Sequence, residues 1–386
     1  MSPRERMVAA YRGLPVDGVP VAPEFWYYIP ARLLGVDMIT FERQVPLWEA
    51  HQRTFRHYGT EGWSVAGGSI PSPGVRSRED WVDIGGGRFE SRVVTETPHG
   101  VLRSRTLFDR AEPSSAIERP IKDFVTDWPA YEAASLGAVE EADWSGVRRA
   151  LAAVGDDYLL EVGVGVPFFD YIALGREGGP TRALFDLADH GPFLQSLHER
   201  YLAHMRRLAR AACEQTAAEA LFIGCAWSCL SVLSPDLWRR WDAPVIRAVA
   251  EEAHRGGRLL HVHLHGRCAA IVADLPDTGA DCVCPFERPP GGDTTDLSVV
   301  REQLRDRVTV NGNVHTVETL IRGGPDAVSL QVEEILDRWG VPPSRLILGT
   351  GDQVGRETPE ENIAAMIETG RRLGRAAAGR AWGHPG

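Results

Sequence analysis

The chain has 386 residues, of which 43% are hydrophobic and 25% are charged, as in an ordinary globular protein. Its formal net charge of −11 provides no basic surface for a nucleic acid or an anionic membrane, and we expect neither as a partner. The opening residues lack the apolar core of a signal peptide, and the six cysteines have no framework spacing, so we expect a cytoplasmic protein with reduced thiols.

The first third of the chain mixes helix, strand and hairpin patterns. Helices are predicted over 4–11 and 46–58, and strands over 19–23 and 62–66. Alternating segments on both sides of Pro98-His99-Gly100 predict an antiparallel hairpin insertion over 81–108. We expect this insertion to lie outside the main fold, where it covers the mouth of the site or contacts a second subunit in a homodimer.

Strand and helix patterns alternate regularly in the rest of the chain, after a helical region over 128–154. Six more strands are predicted, at 158–162, 220–225, 259–264, 281–284, 307–311 and 346–349. Helices are predicted at 181–216, 235–255, 267–278, 297–305, 317–339 and 359–373. Such alternation is typical of a parallel α/β sheet, and eight units favour a single (β/α)8 TIM barrel domain over 1–386 that includes the insertion.

The predicted strand at 259–264 carries His261 and His263, and His265 follows directly. Because side chains on a strand alternate with period two, all three imidazoles leave the same face. Three imidazoles on one inner face need a charge, a metal or a substrate to satisfy them. Active sites of such barrels lie at the C-terminal ends of the strands, so His261 would be deepest and His265 would be at the mouth. We interpret this strand as the centre of the active site.

Asp352 follows the last predicted strand in a glycine-rich turn. A capping box of Thr358 and Glu361 would begin the next helix and hold Asp352 over the mouth. Neutral imidazoles and a carboxylate suit Zn, Fe or Mn, so His263, His265 and Asp352 form a candidate metal site with open positions. Alternatively, Asp352 caps a turn or pairs with an arginine, and the spacing alone does not decide between these readings.

Other candidate residues follow strands at the same expected mouth. Glu287 lies in a loop stiffened by prolines and is a candidate acid or base, as is His261. Alternatively, Glu287 lies at the surface and pairs with Arg288. Five residues that would shape the pocket are candidates for substrate binding: Tyr27, Tyr28, Trp227, Asn313 and His315.

Four cysteines also lie near this end of the predicted strands. Cys282 and Cys284 share one strand face, and Cys225 and Cys229 flank a tryptophan in a loop of small residues. Buried, unreactive thiols are the commoner case, so we interpret all four as lining and not as ligands.

Several motifs together resemble the uroporphyrinogen decarboxylase superfamily, which also contains the zinc-dependent methyltransferases of corrinoid systems. These motifs lie at 13–20, 97–101, 118–123, 263–266, 312–313, 350–352 and 358–362. The resemblance implies a (β/α)8 barrel. In the methyltransferase branch a zinc ligand stands where this chain has His263, and two cysteine ligands stand where it has His265 and Asp352. The resemblance thus implies a divalent metal, zinc first and iron or manganese otherwise, and a corrinoid protein as a potential partner.

The two branches of the superfamily imply different reactions. In this chain nitrogen and oxygen replace the two sulfur ligands, so the implied ligand set consists of harder donor atoms. The decarboxylase branch carries an arginine-rich motif where this chain has the aromatic and acidic stretch 24–28, so uroporphyrinogen is not the expected substrate. We predict a metal-dependent enzyme that transfers a methyl or alkyl group to or from a small molecule. The alternatives are a metal-dependent lyase or decarboxylase acting on a small carboxylated substrate, and a non-catalytic barrel that binds a small molecule or a corrinoid.

Overall fold

A computed structural model describes residues 1–383. Its strands are, in chain order, β1 (Val21–Ala22), β2 (Trp63–Ala66), β3 (Arg76–Gly85), β4 (Arg88–Thr97), β5 (Gly100–Asp109), β6 (Ser115–Glu118), β7 (Leu159–Gly163), β8 (Ala220–Cys225), β9 (Leu259–Leu264), β10 (Cys282–Pro285), β11 (Thr309–Val314) and β12 (Leu346–Thr350). Its α-helices are α1 (Pro3–Arg12), α2 (Tyr28–Leu34), α3 (Met38–Gln44), α4 (Leu47–Tyr58), α5 (Trp128–Ser135), α6 (Ser145–Val154), α7 (Phe168–Gly175), α8 (Gly179–Asp189), α9 (Gly191–Gln215), α10 (Pro235–Trp241), α11 (Ala243–Arg255), α12 (Leu275–Thr278), α13 (Leu297–Leu304), α14 (Pro325–Trp339) and α15 (Glu360–Trp382). Within the same residues, no helix combines the length and the apolar character needed to cross a membrane.

Eight strands form one curled parallel sheet, in the order β1-β12-β11-β10-β9-β8-β7-β2. Each neighbouring pair in this order is parallel. The predicted α/β architecture with a parallel sheet is therefore confirmed. No ladder of backbone pairs joins the edge strands β1 and β2 within residues 1–383.

The two faces of the sheet belong to two different clusters of buried side chains. One face packs against the surrounding helices and forms the large outer core. The other face packs around Met7, Ala10 and Tyr11 of α1. Thr309, at the start of β11, donates from Oγ1 to the carbonyl oxygen of Ala10 at 2.7 Å. Helix α1 therefore covers the N-terminal end of the sheet. The C-terminal ends of the strands are left for a site.

The predicted strands match the observed ones within a few residues, whereas several predicted helices are divided. The predicted helix at 181–216 is interrupted at His190, after which α9 begins with Gly191-Pro192. The predicted helix at 235–255 is interrupted at Asp242, before Pro244. Proline is tolerated in the first turn of a helix, where its missing N–H has no partner to lose, so each proline begins a new helix.

The antiparallel insertion is larger than the hairpin predicted from the sequence, since β3 to β6 form a four-stranded sheet. Arg43 of α3 lies over the ring of Trp81, with its Cζ 4.4 Å from the ring centre. Tyr28 and Arg356 both contact Glu112, at 3.0 Å each. Helices α2 and α3 follow β1, and Arg356 follows β12, so the insertion lies on the C-terminal side of the parallel sheet. Contact with a second subunit stays a prediction.

The packing of α15 on the sheet predicts the effect of one substitution. A Cβ added at Gly370 would lie 2.5 Å from Cδ2 of Leu348 and 2.9 Å from Cγ2 of Val21. Alanine gains about 0.5–1 kcal/mol in a helix interior, but overpacking costs about 1–3 kcal/mol. We therefore expect Gly370→Ala to lower the free energy of unfolding by about 1–2 kcal/mol in urea denaturation. Gly191→Ala, whose Cβ would meet no atom within 4 Å, is the control and should not destabilise. A Gly370→Ala variant whose free energy of unfolding equals that of the wild type would contradict this packing.

Candidate metal centre

Three side chains of different chemistry meet at the C-terminal end of the parallel sheet. His263 of β9 pairs in register with Cys284 of β10, and Glu24 follows β1. Nδ1 of His263 lies 3.1 Å from Sγ of Cys284 and 3.8 Å from Oε2 of Glu24. One ligand atom of each residue lies within 4.8 Å of those of the other two. Within residues 1–383, these are the only three His, Cys, Asp or Glu side chains grouped in this way.

The electrostatics of this group suit a cation. Glu24 is only 6% exposed, and its Oε1 has no hydrogen-bond partner. Burial, reinforced by the charge of Asp352, raises the pKa of Glu24 to about 8. Burial also lowers the pKa of His263 well below its usual value and raises that of the Cys284 thiol well above its own. A divalent ion would bind the neutral imidazole and would stabilise the ionised carboxylate and thiolate, so these three residues fit a metal.

A buried series of hydrogen bonds holds Cys284 from the N-terminal side of the sheet. Nε2 of His261 lies 3.1 Å from Sγ of Cys284, and Nδ1 of His261 lies 2.9 Å from Oε2 of Glu161. The hydroxyl of Tyr11 donates to Oε1 of Glu161 at 3.0 Å. A carboxylate that accepts from one imidazole nitrogen fixes the tautomer and leaves the other nitrogen as an acceptor for the thiol. His261 therefore orients Cys284, and its predicted role as an acid or base stays a prediction.

His265 lies above His263, with 4.4 Å between the ring centres. Its Nδ1 donates to Oε1 of Glu287 at 2.9 Å, and its Nε2 lies 3.8 Å from Oδ1 of Asp352. Burial lowers the pKa of His265, but the hydrogen bond to Glu287 and the charges of Asp352 and Glu24 outweigh it and raise the pKa to about 9. The three metal ligands predicted from the sequence are thus divided, since His265 and Asp352 lie at the mouth with Glu287. Their role as ligands stays a prediction.

The turn that carries Asp352 is not held by the predicted capping box. Helix α15 begins after Pro359, which is extended and makes no side-chain cap, and Oγ1 of Thr358 is buried without a partner. The predicted box of Thr358 and Glu361 is therefore wrong, because the extended Pro359 places Thr358 outside the first turn. Arg32 of α2 holds the turn instead, by donating to two of its carbonyl oxygens at 3.2 Å.

Two of the predicted substrate-binding residues, Asn313 and Trp227, belong to segments at the C-terminal ends of β11 and β8. Asn313 is fully buried and donates from Nδ2 to the carbonyl oxygens of Phe286 and Thr294, at 2.8 and 3.4 Å. Its Oδ1 has no partner. The backbone N–H of Trp227 donates to Asp170 at 2.8 Å, which positions the loop after β8. Substrate binding by either residue stays a prediction.

The side chains of the other three predicted substrate-binding residues contact neighbouring parts of the fold. Tyr27 packs edge-on against Phe41, with 6.4 Å between the ring centres. Tyr28 donates to Glu112 of the insertion at 3.0 Å. His315 accepts at Nδ1 from two backbone N–H groups at the start of the following turn and contacts the carbonyl oxygen of Pro289 through Nε2 at 2.9 Å. Their role in substrate binding also stays a prediction.

An aromatic wall, which the sequence analysis did not identify, lies beside His263. It consists of Trp63 and Phe222, stacked with 5.3 Å between ring centres, and their centres lie 6.1 and 6.3 Å from that of His263. Trp26 packs edge-on against Trp63 at 5.4 Å. His51 supports this wall, since Nε2 contacts the carbonyl oxygen of Trp26 at 3.2 Å. An aromatic residue at an inward position of β2 is the only sequence signal for the wall.

The group of Glu24, His263 and Cys284 lies at the C-terminal ends of parallel strands, where α/β folds carry their ligand sites. A family model described as Uroporphyrinogen decarboxylase (URO-D) matches residues 148–373, more than half of the chain. The chain therefore belongs to the uroporphyrinogen decarboxylase family. The matched range contains His263 and Cys284, whereas Glu24 lies before it.

Known proteins resemble the chain in part of the sequence and in the fold. The uroporphyrinogen decarboxylase of Paraburkholderia phytofirmans is 25% identical over 166 residues, which are 42% of each protein. That of Coxiella burnetii is 26% identical over 141 residues, or 36% of each. The chain thus spans about two fifths of the length of these curated relatives. The solved structure of a methyltransferase from Methanosarcina mazei has a TM-score of 0.68 at 17% identity, and the match covers 97% of this chain and 99% of that one. It shows the same fold over nearly the whole chain.

The buried His51 predicts a dependence of stability on pH. Burial lowers the pKa of His51 from 6.5 to about 4, whereas in the unfolded chain it takes up a proton below about 6.5. The unfolded state therefore binds more protons between these values, and stability is lost as the pH falls from 6.5 to 4, by up to about 3 kcal/mol. In urea denaturation at pH 7 and pH 4, His51→Gln should lose less stability on acidification than the wild type. His57→Gln, at an exposed position of α4, should behave as the wild type does. Equal losses in all three would contradict a neutral, buried His51.

Proposed function

We propose that the chain is a metal-dependent enzyme that transfers a methyl or alkyl group to or from a small molecule, with a divalent ion held by Glu24, His263 and Cys284. The observation that carries the proposal is this buried group of carboxyl, imidazole and thiol, in which Oε1 of Glu24 has no partner. Its mixed nitrogen, oxygen and sulfur donors favour zinc. The set of His263, His265 and Asp352 is the alternative, and its harder donors also suit iron or manganese.

We also infer that the parallel sheet closes into a (β/α)8 barrel. Glu61, which precedes β2, accepts at Oε2 from the backbone N–H of Val21 in β1 at 2.9 Å, so a side chain bridges the two edge strands. Inner side chains of seven of the eight strands pack in one cluster around α1. Closure brings Glu24, after β1, to His263 in β9, which is four strands away in the sheet order. It thereby accounts for a ligand set drawn from distant parts of the sequence.

A bound divalent ion would supply a Lewis acid beside the substrate. The residues of the chain then have separate tasks. Glu287 and His265 share a hydrogen bond at the mouth, so this pair can hold a proton at Nδ1 or release it. Trp63 and Phe222 cover one side of His263 and exclude water there. His261 and Glu161 keep Cys284 in place from below.

The alternative reaction is that of a lyase or decarboxylase on a small carboxylated substrate. The names of the curated relatives support it. The charge of the mouth argues against a substrate with several carboxylates, because Glu24, Glu287 and Asp352 all lie near His265. We therefore retain group transfer as the leading proposal.

Two parallel assays of the zinc-loaded protein separate the reactions. In the first, methylcobalamin serves as the methyl donor, in place of the potential corrinoid protein partner, with 2-mercaptoethanol or a small amine as acceptor, and the visible spectrum of the cobalamin reports methyl loss. In the second, carbon dioxide released from small monocarboxylic and dicarboxylic acids is measured. Zinc-dependent loss of the methyl group would support the proposal. Release of carbon dioxide without any methyl transfer would overturn it in favour of the lyase.

The proposed ligand set predicts which substitutions remove the metal. We expect zinc in equal molar amount in the wild type after desalting, and at least about tenfold weaker zinc binding in Cys284→Ser and Glu24→Gln, since each loses a ligand that ionises on binding. Elemental analysis and competition with a chelator measure these quantities. Cys268→Ser, which changes another buried thiol, is the matched control and should retain zinc. Unchanged zinc in both variants, together with its loss in Asp352→Asn, would instead support the alternative set.

A further inference from the structure

Two buried carboxyl groups lie outside the candidate metal centre and have no part in the proposed reaction. Asp170 of α7 is 1% exposed, and Asp242, between α10 and α11, is 0% exposed. The groups that donate hydrogen bonds to them are three backbone N–H groups and one hydroxyl, none of which carries a charge. Carboxyl groups are almost never fully buried unless they are paired with a cation, so these two need another explanation.

The two carboxyl groups bind the same loop, which consists of residues 226–234 and is called the β8 loop because it follows β8. Asp170 accepts from the backbone N–H groups of Trp227 and Ser228, at 2.8 and 3.0 Å. Asp242 accepts from the hydroxyl of Ser228 and from the backbone N–H of Phe169 at 2.8 Å. Because Phe169 precedes Asp170 in the chain, these bonds form a closed ring in which each carboxyl group depends on the other.

The β8 loop reaches the backbone that directly follows His265. The backbone N–H of Leu230 donates to the carbonyl oxygen of Arg267 at 2.8 Å, and the N–H of Arg267 donates to Oγ of Ser231 at 3.2 Å. The loop also packs closely on Gly266, since a Cβ added there would lie 2.7 Å from Oγ of Ser231. A movement of the loop would therefore move the residues on which the position of His265 depends.

We propose that Asp170 and Asp242 are positioning residues of the site, which hold the β8 loop against Arg267 and thereby fix His265 beside Glu287 at the mouth. The effect passes from the carboxyl groups through the loop to the end of β9. Its consequence for group transfer rests on the proposed function, whereas the hold on the loop does not.

The charge of the two carboxyl groups makes this hold depend on pH. Burial, reinforced by the charge of Asp242, raises the pKa of Asp170 from 3.8 to about 8, and burial raises the pKa of Asp242 from 3.8 to about 7. When the loop is released, water reaches both groups and their ordinary pKa values return. The held loop thus keeps protons that the released loop gives up, so the hold weakens as the pH rises from about 4 to about 8.

The other titratable groups around the pair do not reverse this direction. Burial raises the pKa of the Tyr201 hydroxyl in α9 and of the thiols of Cys225 and Cys229, so these groups stay neutral in the same range. The positive charge of His265 lowers the pKa of Asp170, but burial and the charge of Asp242 outweigh it.

Hydrogen exchange of the full-length protein, measured by mass spectrometry at pH 6.0 and pH 8.5, tests the hold. Each observed rate is divided into the rate of an unstructured peptide at the same pH, which gives a protection factor. Protection of peptides over 226–234 should fall by at least about tenfold at the higher pH, and peptides over 264–268 should follow. Peptides from α14 should keep their protection. Equal protection of the loop at both pH values, or residues 264–268 that do not follow it, would overturn the proposal.

Two amide variants separate the carboxyl groups from a merely structural role. In Asp242→Asn the amide oxygen still accepts from Phe169 and the NH2 group donates to the hydroxyl of Ser228, so the contacts are kept and one ionisable group is removed. The loss of loop protection between pH 6.0 and 8.5 should be at least about threefold smaller than in the wild type. His265 is unchanged in this variant, so its own titration cancels in the comparison. A loss equal to that of the wild type would overturn the proposal.

Asp170→Asn should behave differently, because its NH2 group would face one of the two backbone N–H donors of the loop. Loop protection should be at least about fivefold lower than in the wild type already at pH 6.0. Asp189→Asn, at an exposed position at the end of α8, is the matched control and should behave as the wild type does at both pH values. Wild-type protection of the loop in Asp170→Asn would overturn the proposal.

The zinc content of each sample separates this inference from the proposed function. Bound zinc in a protein whose β8 loop shows no dependence on pH rejects the positioning role and leaves the metal-dependent function standing. A loop and residues 264–268 that lose protection together at pH 8.5, in a protein that binds no zinc, support the positioning role and reject the metal-dependent function.

Discussion

The hydrogen bonds among Tyr11, Glu161 and His261 place a carboxylate and an imidazole at 0% exposure inside an otherwise apolar sheet. Burying such groups is tolerated when they satisfy one another, and a fully satisfied network is also rigid. Tyr11 comes from α1, at the N-terminal end of the sheet, whereas Cys284 lies nearer the C-terminal end. The position of the thiol beside His263 therefore depends on a helix at the opposite end of the strands. The candidate site consequently depends on the packing of α1 against the N-terminal end of the sheet.

The site could be predicted from the sequence where its residues follow from local geometry. His263 and His265 stand out because the period of a strand places them on one face, and Asp352 because it ends a strand. Glu24 and Cys284 meet His263 only through the pairing of β1, β12, β11, β10 and β9, which is a long-range property of the sheet. A single sequence does not contain that pairing. The sequence alone therefore indicates Cys284 as a lining residue, although its Sγ lies 3.1 Å from Nδ1 of His263.

The fold shows the same division between local and long-range information. The buried strands of the parallel sheet are apolar runs, so their positions could be predicted closely, and β8 and β9 match residue for residue. Helix breaks at Pro192 and Pro244 were missed because the apolar pattern continues across each break. The limits of the insertion were missed because β3 is exposed along almost its whole length, so it lacks the alternation that marks a half-buried strand.

The pairing of β1 with β12 also affects how the site comes into being during protein synthesis. The backbone N–H of Glu24 donates to Oγ1 of Thr350 at 3.1 Å, across 326 positions of the sequence. At about 5–20 residues per second, tens of seconds pass between the synthesis of the two residues. Throughout that interval β1 has no neighbour on this side, and such long-range pairing is intrinsically slow. A growing chain therefore exposes Glu24 to water as an ordinary carboxylate, and the residue acquires its buried state only when the last strand is in place.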